Sequence, residues 1–303
     1  MVRKRKKKQP KGRGIIYFIA LLCIICLTFE PITKALHINL PGTVTEAVTE
    51  KVPGKHQSAG NTSSKLKPVT KVPAGKDILH PAPLKNTSEQ ILHRKGYTVS
   101  YNKERKVPNW VAWELTPKKL IERESRTDKF LPDPDLPENE AVTTHDYKGA
   151  DMDRGHMCPA GDNRWHWKAM QESFYMTNIC PQNHNLNRGD WKELEEDCRK
   201  WAQKEGKIYI VCGPVFYKQK HRTIGKEHRI TVPEAFFKVI LSMKGTPKAI
   251  GFIYKNTSGN HPLDAYVNSV DEVERITGID FFPALPDDIE KKVEAEYDLK
   301  QWK

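Results

Sequence analysis

Residues 151–196 read DMDRGHMCPAGDNRWHWKAMQESFYMTNICPQNHNLNRGDWKELEE. This stretch is rich in histidine, arginine, amide, carboxylate and aromatic side chains. It contains few of the branched aliphatic residues that an ordinary core segment would use. This composition is typical of a functional site.

The four residues from Asp153 to His156 place an acid, a cation, a glycine and a histidine side by side. Histidine titrates near neutral pH, so it can accept a proton from water under ordinary conditions. A neighbouring arginine suits an anionic substrate. His156 is therefore the candidate general base.

A second polar segment, residues 185–190, runs into a predicted helix. Apolar residues recur along that helix at spacings of three and four: Trp191, Leu194, Cys198 and Trp201. Asn187 is placed at the start of the helix, and at about 100° per residue Glu195 falls on the same side two turns later. An amide oxygen and a carboxylate are hard ligands, which favour magnesium over zinc. A base, an oxygen-bound metal and arginines together indicate phosphodiester hydrolysis.

At these residues the sequence resembles the DNA/RNA non-specific endonucleases of the ββα-metal superfamily, which include secreted bacterial nucleases and mitochondrial endonuclease G. The D-R-G-H signature lies at 153–156. The second signature, N-I-x-P-Q followed by L-N-x-G-x-W-x-x-L-E, runs from Asn178 to Glu195. Weaker similarity extends over most of residues 95–303.

The resemblance implies a mechanism for the central residues. His156 would be the general base that deprotonates the attacking water, and Asn187 would bind Mg²⁺ directly, with Mn²⁺ as a substitute. Glu195 would hold water on the metal. The products would carry 5′-phosphate ends, and both DNA and RNA would be substrates.

The resemblance also implies residues that hold the phosphate. Arg154 and Asn178 are expected to support it, and Arg126 corresponds to the family's second phosphate-binding arginine. Arg123 lies close to Arg126 in the sequence and is the alternative for that role.

The expected fold class is α+β, a ββα-metal nuclease fold with a central, mostly antiparallel sheet flanked by helices. Alternating residues predict a pair of strands at 97–102 and 110–116. The first part of 151–196 is expected to form a short hairpin that leads into the helix. Three more strands and two helices are predicted later in the chain: Ile208–Phe216, Ala235–Met243 and Lys248–Lys255, then a helix from Ser269 to Gly278 and one from Asp287 to Lys300.

Four segments are predicted along the chain: a basic cytoplasmic segment (1–14), a signal peptide or uncleaved signal anchor (15–29), a disordered tether (30–94) and the endonuclease domain (95–303). Residues 1–13 carry eight basic side chains and no acid, and Ile15–Phe29 carries no charge. Residues 30–94 are rich in Pro, Thr, Ser and Lys. The domain is therefore expected to be exported. It would be membrane-anchored and face the periplasm or the exterior, or be secreted if the signal is cleaved.

Charge and cysteine content add two expectations. The formal charge is +12, but removing the eight N-terminal positives leaves 42 basic and 38 acidic residues, so attraction to nucleic acid must come from local clusters. Residues 221–229 (HRTIGKEHR) are the candidate cluster. Cys158, Cys180, Cys198 and Cys212 predict one or two disulfides in an exported domain. The sequence leaves open whether the protein forms a homodimer.

Two alternatives to a nuclease use the same residues. One is a membrane-tethered module that binds nucleic acid without catalysis, and the other is a phosphodiesterase specific for small diesters. An intact set of His156, Asn187 and Glu195 argues against a pure binding module, because binding does not need a base and a metal ligand.

Overall fold

The computed structural model of the chain describes residues 77–303. The predicted basic segment, the signal or anchor and most of the tether therefore lie outside the described residues. Within the part that is described, no helix combines the length and the apolarity needed to cross a membrane.

A seven-stranded sheet lies at the centre of residues 77–303, and every neighbouring pair of its strands is antiparallel. In spatial order the strands are β1 (Gln90–His93), β2 (Thr98–Asn102), β3 (Val107–Leu115), β6 (Ile208–Val215), β9 (Ala235–Ser242), β10 (Lys248–Lys255) and β11 (Val267–Asn268). Every residue of β9 is buried, because helices and loops cover both faces of the sheet at its centre. The α+β class, the first strand pair and the three later strands are confirmed.

Five α-helices are described in residues 77–303: α1 (Trp167–Ser173), α2 (His184–Arg188), α3 (Asp190–Glu205), α4 (Val270–Thr277) and α5 (Asp287–Ala295). The predicted limits of α4 are confirmed. The Ser269 hydroxyl accepts a hydrogen bond from the Glu272 backbone N–H, and Gly278 ends the helix with a φ of +71°. The terminal helix is shorter than predicted, because Glu296 adopts an extended conformation.

Two short strand pairs lie outside the main sheet: β4 (Asp153–His156) with β5 (Ile179–Gln182), and β7 (Thr223–Ile224) with β8 (Ile230–Thr231). The prediction that the first part of 151–196 forms a short hairpin was wrong. β4 and β5 do pair, but α1 and its flanking loops lie between them in the sequence. The predicted buried face of α3 is confirmed. Asn187 belongs to α2 instead of the start of α3, since the chain bends at Gly189 between the two helices.

The folded part begins before residue 95. β1 pairs along its whole length with β2, and Ile78 and Leu92 are buried. The backbone N–H of Ala82 also donates to the Asp280 carbonyl at 2.9 Å. Residues 77–94, which the sequence assigned to the tether, are therefore part of the domain.

The four cysteines of the described residues are free and buried, so the prediction of one or two disulfides was wrong. Two of the sulfur atoms take part in hydrogen bonds. Cys158 Sγ accepts from Asn163 Nδ2 at 3.2 Å, and Cys212 Sγ donates to the Met157 carbonyl at 3.3 Å. The thiols therefore act as packed core groups.

Candidate active site

Strands β4 and β5 place His156 at the edge of a cavity of about 730 Å³. Their close approach depends on Gly155, because a Cβ atom at this position would lie 2.1 Å from the Gln182 side-chain oxygen. Trp191, at the start of α3, donates from its indole N–H to the His156 carbonyl at 3.4 Å. The strand pair and the helix thus fix the backbone of the candidate base together.

The imidazole of His156 is half-buried between aromatic rings. Its centroid lies 4.8 Å from that of Phe174, edge to face, and 5.3 Å from that of Phe130. Nε2 has no hydrogen-bond partner in residues 77–303. Burial first, and then the charges of Arg126 and Arg154, lower the pKa of His156 to about 3. The ring is therefore neutral at pH 7 and able to accept a proton.

Asn187 lies in α2 beside Asp153 of β4. Its Nδ2 donates to Asp153 Oδ2 at 2.8 Å, and His184 Nδ1 lies 3.1 Å from the other oxygen of that carboxylate. Burial alone would raise the pKa of Asp153, but the hydrogen bonds and charges of its neighbours outweigh it and lower the pKa overall. The Asp153 bond orients the Asn187 side chain, and no bond within residues 77–303 uses Asn187 Oδ1.

Glu195 lies on α3, half-buried, and lines the same cavity. Burial is the largest cause that raises its pKa, to about 7, while Lys238, Arg199 and Arg126 act in the opposite direction. The carboxyl group therefore changes its ionisation near neutral pH. The sequence placed Glu195 and Asn187 on one side, and the structure brings both to the cavity wall.

Lys238 of β9 is fully buried and lies close enough to Glu195 to affect its charge. No sequence motif had indicated this residue. Its Nζ has no hydrogen-bond partner in the described residues and lies 4.2 Å from the centroid of the Trp191 ring. Burial alone would lower its pKa, but neighbouring thiols and the carboxyl groups of Glu195 and Asp162 raise it overall. Lys238 is therefore a buried cation that acts on Glu195 from the core.

The charges around the cavity are mainly positive. Within the described chain its lining contains two carboxylates, Asp153 and Glu195, and six cationic side chains: Arg126, Lys148, Arg154, Arg188, Lys192 and Arg199. Arg154 lies over the Phe130 ring at 4.3 Å, and Arg126 over the Phe174 ring at 5.5 Å. Such a cavity attracts an anion.

Arg126, the assignment preferred over Arg123, lines the cavity, whereas Arg123 does not. Asn178 does not line it either, although the resemblance placed it near the phosphate. It is fully buried, and its amide accepts from the Cys158 N–H and donates to the carbonyls of Cys158 and Ser173, at 2.8–2.9 Å. Asn178 therefore holds the backbone that follows His156.

The cluster predicted at 221–229 is not part of this positive surface. His228 is buried against Asp146, and Arg222 pairs with Asp151. The cations at the cavity come instead from α2, α3, β4 and nearby loops. Lys192, Glu195 and Arg199 lie at helical spacing along α3 and share the cavity face, which is a signal that the sequence already contained.

The donor set of the cavity suits a hard divalent cation. Asn187 Oδ1 and the carboxylates of Asp153 and Glu195 are oxygen donors, and no cysteine of residues 77–303 lines the cavity. Mg²⁺ accepts one or two such protein oxygens and keeps the rest of its shell for water and phosphate. The arrangement therefore combines an unprotonated imidazole, oxygen donors that suit a divalent cation and cationic side chains that suit phosphate.

Comparisons with known proteins show the family to which the chain belongs. The sequence profile of the DNA/RNA non-specific endonuclease family matches residues 75–288. Mitochondrial nuclease EXOG of Danio rerio is 37% identical over 206 residues, 63% of this chain and 60% of that protein. A nuclease of Nostoc sp. is 34% identical over 231 residues, 71% of this chain and 82% of that protein.

A solved structure is also similar. A chain in the crystal structure of the EndoG/EndoGI complex superposes with a TM-score of 0.61 and 26% identity, over 65% of this chain and 87% of that chain. This chain spans 56–64% of the length of the first curated relatives that it matches.

Proposed function

This chain belongs to the DNA/RNA non-specific endonuclease family, and from that premise we propose that it is a metal-dependent endonuclease that hydrolyses DNA and RNA. The observation that carries the proposal is the cavity that brings His156, Asn187 and Glu195 together among six cationic side chains. A phosphodiester is the anion that requires all of these groups at once.

His156 acts as the general base. The neutral imidazole accepts a proton from the water that attacks phosphorus, in line with the leaving 3′ oxygen. A pKa of about 3 would make a weak base, but that value reflects the positive charges of Arg126 and Arg154 as well as burial. A bound phosphate places negative charge beside both arginines, so substrate binding raises the pKa of His156 towards neutrality.

Asn187 and Asp153 would hold an Mg²⁺ ion, or Mn²⁺ as a substitute, and Glu195 would orient water beside it. When bound, the metal stabilises the negative charge that develops on the phosphate and the leaving oxygen. Because the 3′ oxygen leaves, the products carry 5′-phosphate ends. Arg126 and Arg154 bind the phosphate during this step.

The proposed lack of sequence preference follows from the same side chains. The arginines and lysines of the cavity are suited to phosphate oxygens, and contacts with phosphate carry no information about the base sequence. The phosphate group is common to DNA and RNA, so both polymers are expected to be cleaved.

The proposed location is outside the cytoplasm. The basic residues of 1–14 remain in the cytoplasm, and the apolar run 15–29 acts as a signal peptide or as an anchor. Cell fractionation followed by mass spectrometry of the N-terminus tests this proposal. An intact N-terminus in the membrane fraction supports an anchor, a shortened chain outside the cell supports cleavage, and intact chain confined to the cytoplasm contradicts export.

The activity is tested with the full chain on supercoiled plasmid and on total RNA, with Mg²⁺ or with EDTA. We expect both substrates to be degraded only with the metal, to fragments whose 5′ ends DNA ligase can join without prior phosphorylation. Asn187→Ala should raise the Mg²⁺ concentration required for half-maximal activity by at least tenfold.

The same experiment separates the alternatives. Salt-sensitive retention of DNA without any cleavage would favour the binding module, and turnover of bis(p-nitrophenyl) phosphate without loss of either polymer would favour the small-diester phosphodiesterase.

A further inference from the structure

Three carboxylates converge between α4 and α5, outside the lining of the active-site cavity. Asp271 and Glu274 lie on α4, and Glu294 lies on α5. Each offers one oxygen atom, and these atoms all lie within 4.8 Å of one another. None of the ion pairs within residues 77–303 includes any of the three side chains.

Glu294 is the most unusual member of this group. It is only 7% exposed, and its Oε1 has no hydrogen-bond partner in the described residues. A buried, unpaired carboxylate oxygen costs free energy unless a ligand or a proton satisfies it. Glu294 therefore needs either a proton or a cation at this oxygen, because no side chain of residues 77–303 donates to it.

The neighbouring charges increase this need. Burial, followed by the carboxylates of Glu274, Glu290, Asp271 and Asp280, raises the pKa of Glu294 to about 9. Burial also raises the pKa of Glu274 to about 7, although the Phe281 N–H donates to Glu274 Oε1 at 2.6 Å. Three carboxyl groups thus meet at one place between two helices, where either protons or a bound cation must offset their mutual repulsion.

The three oxygens lie close enough together to share one cation, because two ligands on opposite sides of Ca²⁺ are roughly 4.6–5.2 Å apart, twice the metal–oxygen distance, and these oxygens are all within 4.8 Å of one another. Mg²⁺ demands a near-ideal octahedron, whereas Ca²⁺ accepts irregular sets of oxygen ligands, so carboxylates from two separate helices favour Ca²⁺. Ca²⁺ also accepts water in the remaining positions of a flexible coordination shell.

We propose that Asp271, Glu274 and Glu294 form a Ca²⁺ site that joins α4 to α5, separate from the catalytic cavity. Bound Ca²⁺ neutralises the carboxylates and ties the two helices together, so it stabilises the domain without taking part in hydrolysis. The inference does not depend on the proposed nuclease activity, because none of its ligands lines the active-site cavity.

The test is calorimetric titration of CaCl₂ at pH 7.5 into the full chain carrying Asn187→Ala, which removes one of the two candidate metal ligands of the active site and weakens binding there. Glu294→Gln and Asp271→Asn are compared with Asp288→Asn in this background. Asp288 is an exposed acid on α5 outside the group, so its substitution matches the loss of charge. Asp271 is exposed, which makes its replacement compatible with folding.

We expect a single Ca²⁺ to bind to the parent and to Asp288→Asn, and binding to be at least tenfold weaker in Glu294→Gln and Asp271→Asn. Binding to the parent should release protons, because Glu294 must ionise; titration in two buffers of different ionisation enthalpy measures this release. Saturating Ca²⁺ should also raise Tm by about 5 °C in the parent and in Asp288→Asn but not in Glu294→Gln.

Two results would overturn the proposal. One is the absence of Ca²⁺ binding by the parent. The other is equal affinity in Asp288→Asn and in the two ligand variants, which would show that any bound Ca²⁺ lies elsewhere. Mg²⁺ in place of Ca²⁺ should bind more weakly, because it tolerates irregular coordination less, and tighter Mg²⁺ binding would contradict the assignment to Ca²⁺.

Discussion

At the scale of single residues, the ionisation of Glu195 depends on a cation that lies below the cavity floor. Burial has the largest effect on the pKa of Glu195 and raises it. Among the charges that lower this pKa, Lys238 has the largest effect. At its pKa of about 7 the carboxylate is half-ionised at neutral pH, and its ionised fraction rises with pH. If the ionised form is the active one, the rate of hydrolysis rises with pH through the same range.

We expect Lys238→Met to move the acidic limb of the pH profile of kcat/KM to higher pH, by about one pH unit. Methionine preserves most of the buried volume but removes the positive charge, so the pKa of Glu195 rises further. The profile is measured from pH 5 to 9 beside Lys244→Met, in which an exposed lysine is replaced. An acidic limb that stays in place, or that moves to lower pH, contradicts the assigned interaction.

The motifs predicted His156, Asn187 and Glu195, which the cavity brings together, because these three residues lie within two short signatures. They could not predict Lys238. In FFKVIL a single lysine in an apolar strand has the pattern of an edge or an exposed position, and only the packing of α3 against β9 shows that Nζ lies over Trp191.

At the scale of elements, the alignment of β4 depends on the buried amide of Asn178. Three hydrogen bonds join this side chain to the backbone of Cys158 and Ser173. The backbone carbonyl of Asn178 also accepts from the Met157 N–H at 2.9 Å. His156 precedes that backbone directly. The amide of Asn178 therefore fixes the backbone next to the candidate base relative to the start of β5.

We expect Asn178→Ala to lower the free energy of unfolding by about 3 kcal/mol, because it leaves buried backbone groups without partners. Urea denaturation followed by circular dichroism measures this change. Gln171→Ala, at an exposed amide on α1, serves as the control and should remain within about 0.5 kcal/mol of the parent. A loss below about 1 kcal/mol in Asn178→Ala would show that water replaces these bonds.

Strand periodicity predicted where strands lie but not which strands pair. It predicted a short hairpin for the first part of 151–196, whereas β4 pairs with β5 across α1. Alternation of apolar and polar residues contains no information on a distant partner. The same limit applies to Asn187, since the backbone break at Gly189 that separates α2 from α3 is a local conformation that helical spacing cannot reveal.

At the scale of the whole molecule, the domain includes residues before Lys95. The Ser100 hydroxyl donates to Glu89 Oε1 at 2.8 Å, and Asn109 Nδ2 donates to the Ser88 carbonyl at 2.9 Å. These bonds and the pairing of β1 cover the edge of β2. An uncovered edge strand exposes unpaired backbone groups and favours aggregation.

We expect a chain that begins at residue 77 to retain the stability of the domain. In a chain that begins at residue 95 the free energy of unfolding should fall by about 3–5 kcal/mol, because the buried side chains of Ile78 and Leu92 and the hydrogen bonds of β1 are missing. Urea midpoints and light scattering of the two chains measure the difference. Equal stability of both would contradict the assignment of residues 77–94 to the fold.

The start of the domain and the state of the cysteines could not be predicted from the sequence. β1 has only four residues, too few for a periodic pattern against the polar residues around it. The number of cysteines indicated disulfides, but pairing depends on which thiols meet in three dimensions, and all four of those described are free. The class of the fold was predictable, because runs of predicted strands with long helices between them indicate an α+β fold with a mostly antiparallel sheet.

The most direct test of the nuclease mechanism is the rate of plasmid cleavage by His156→Ala, measured with the full chain at saturating Mg²⁺ and compared with His261→Ala. His261 is exposed and does not line the cavity, so this variant matches the loss of an imidazole. Loss of a general base predicts a decrease in kcat of about 100-fold or more for His156→Ala, with unchanged DNA binding, and no more than a twofold change for His261→Ala. Cleavage by His156→Ala within a few-fold of the parent rate would contradict the assignment of His156 as the base.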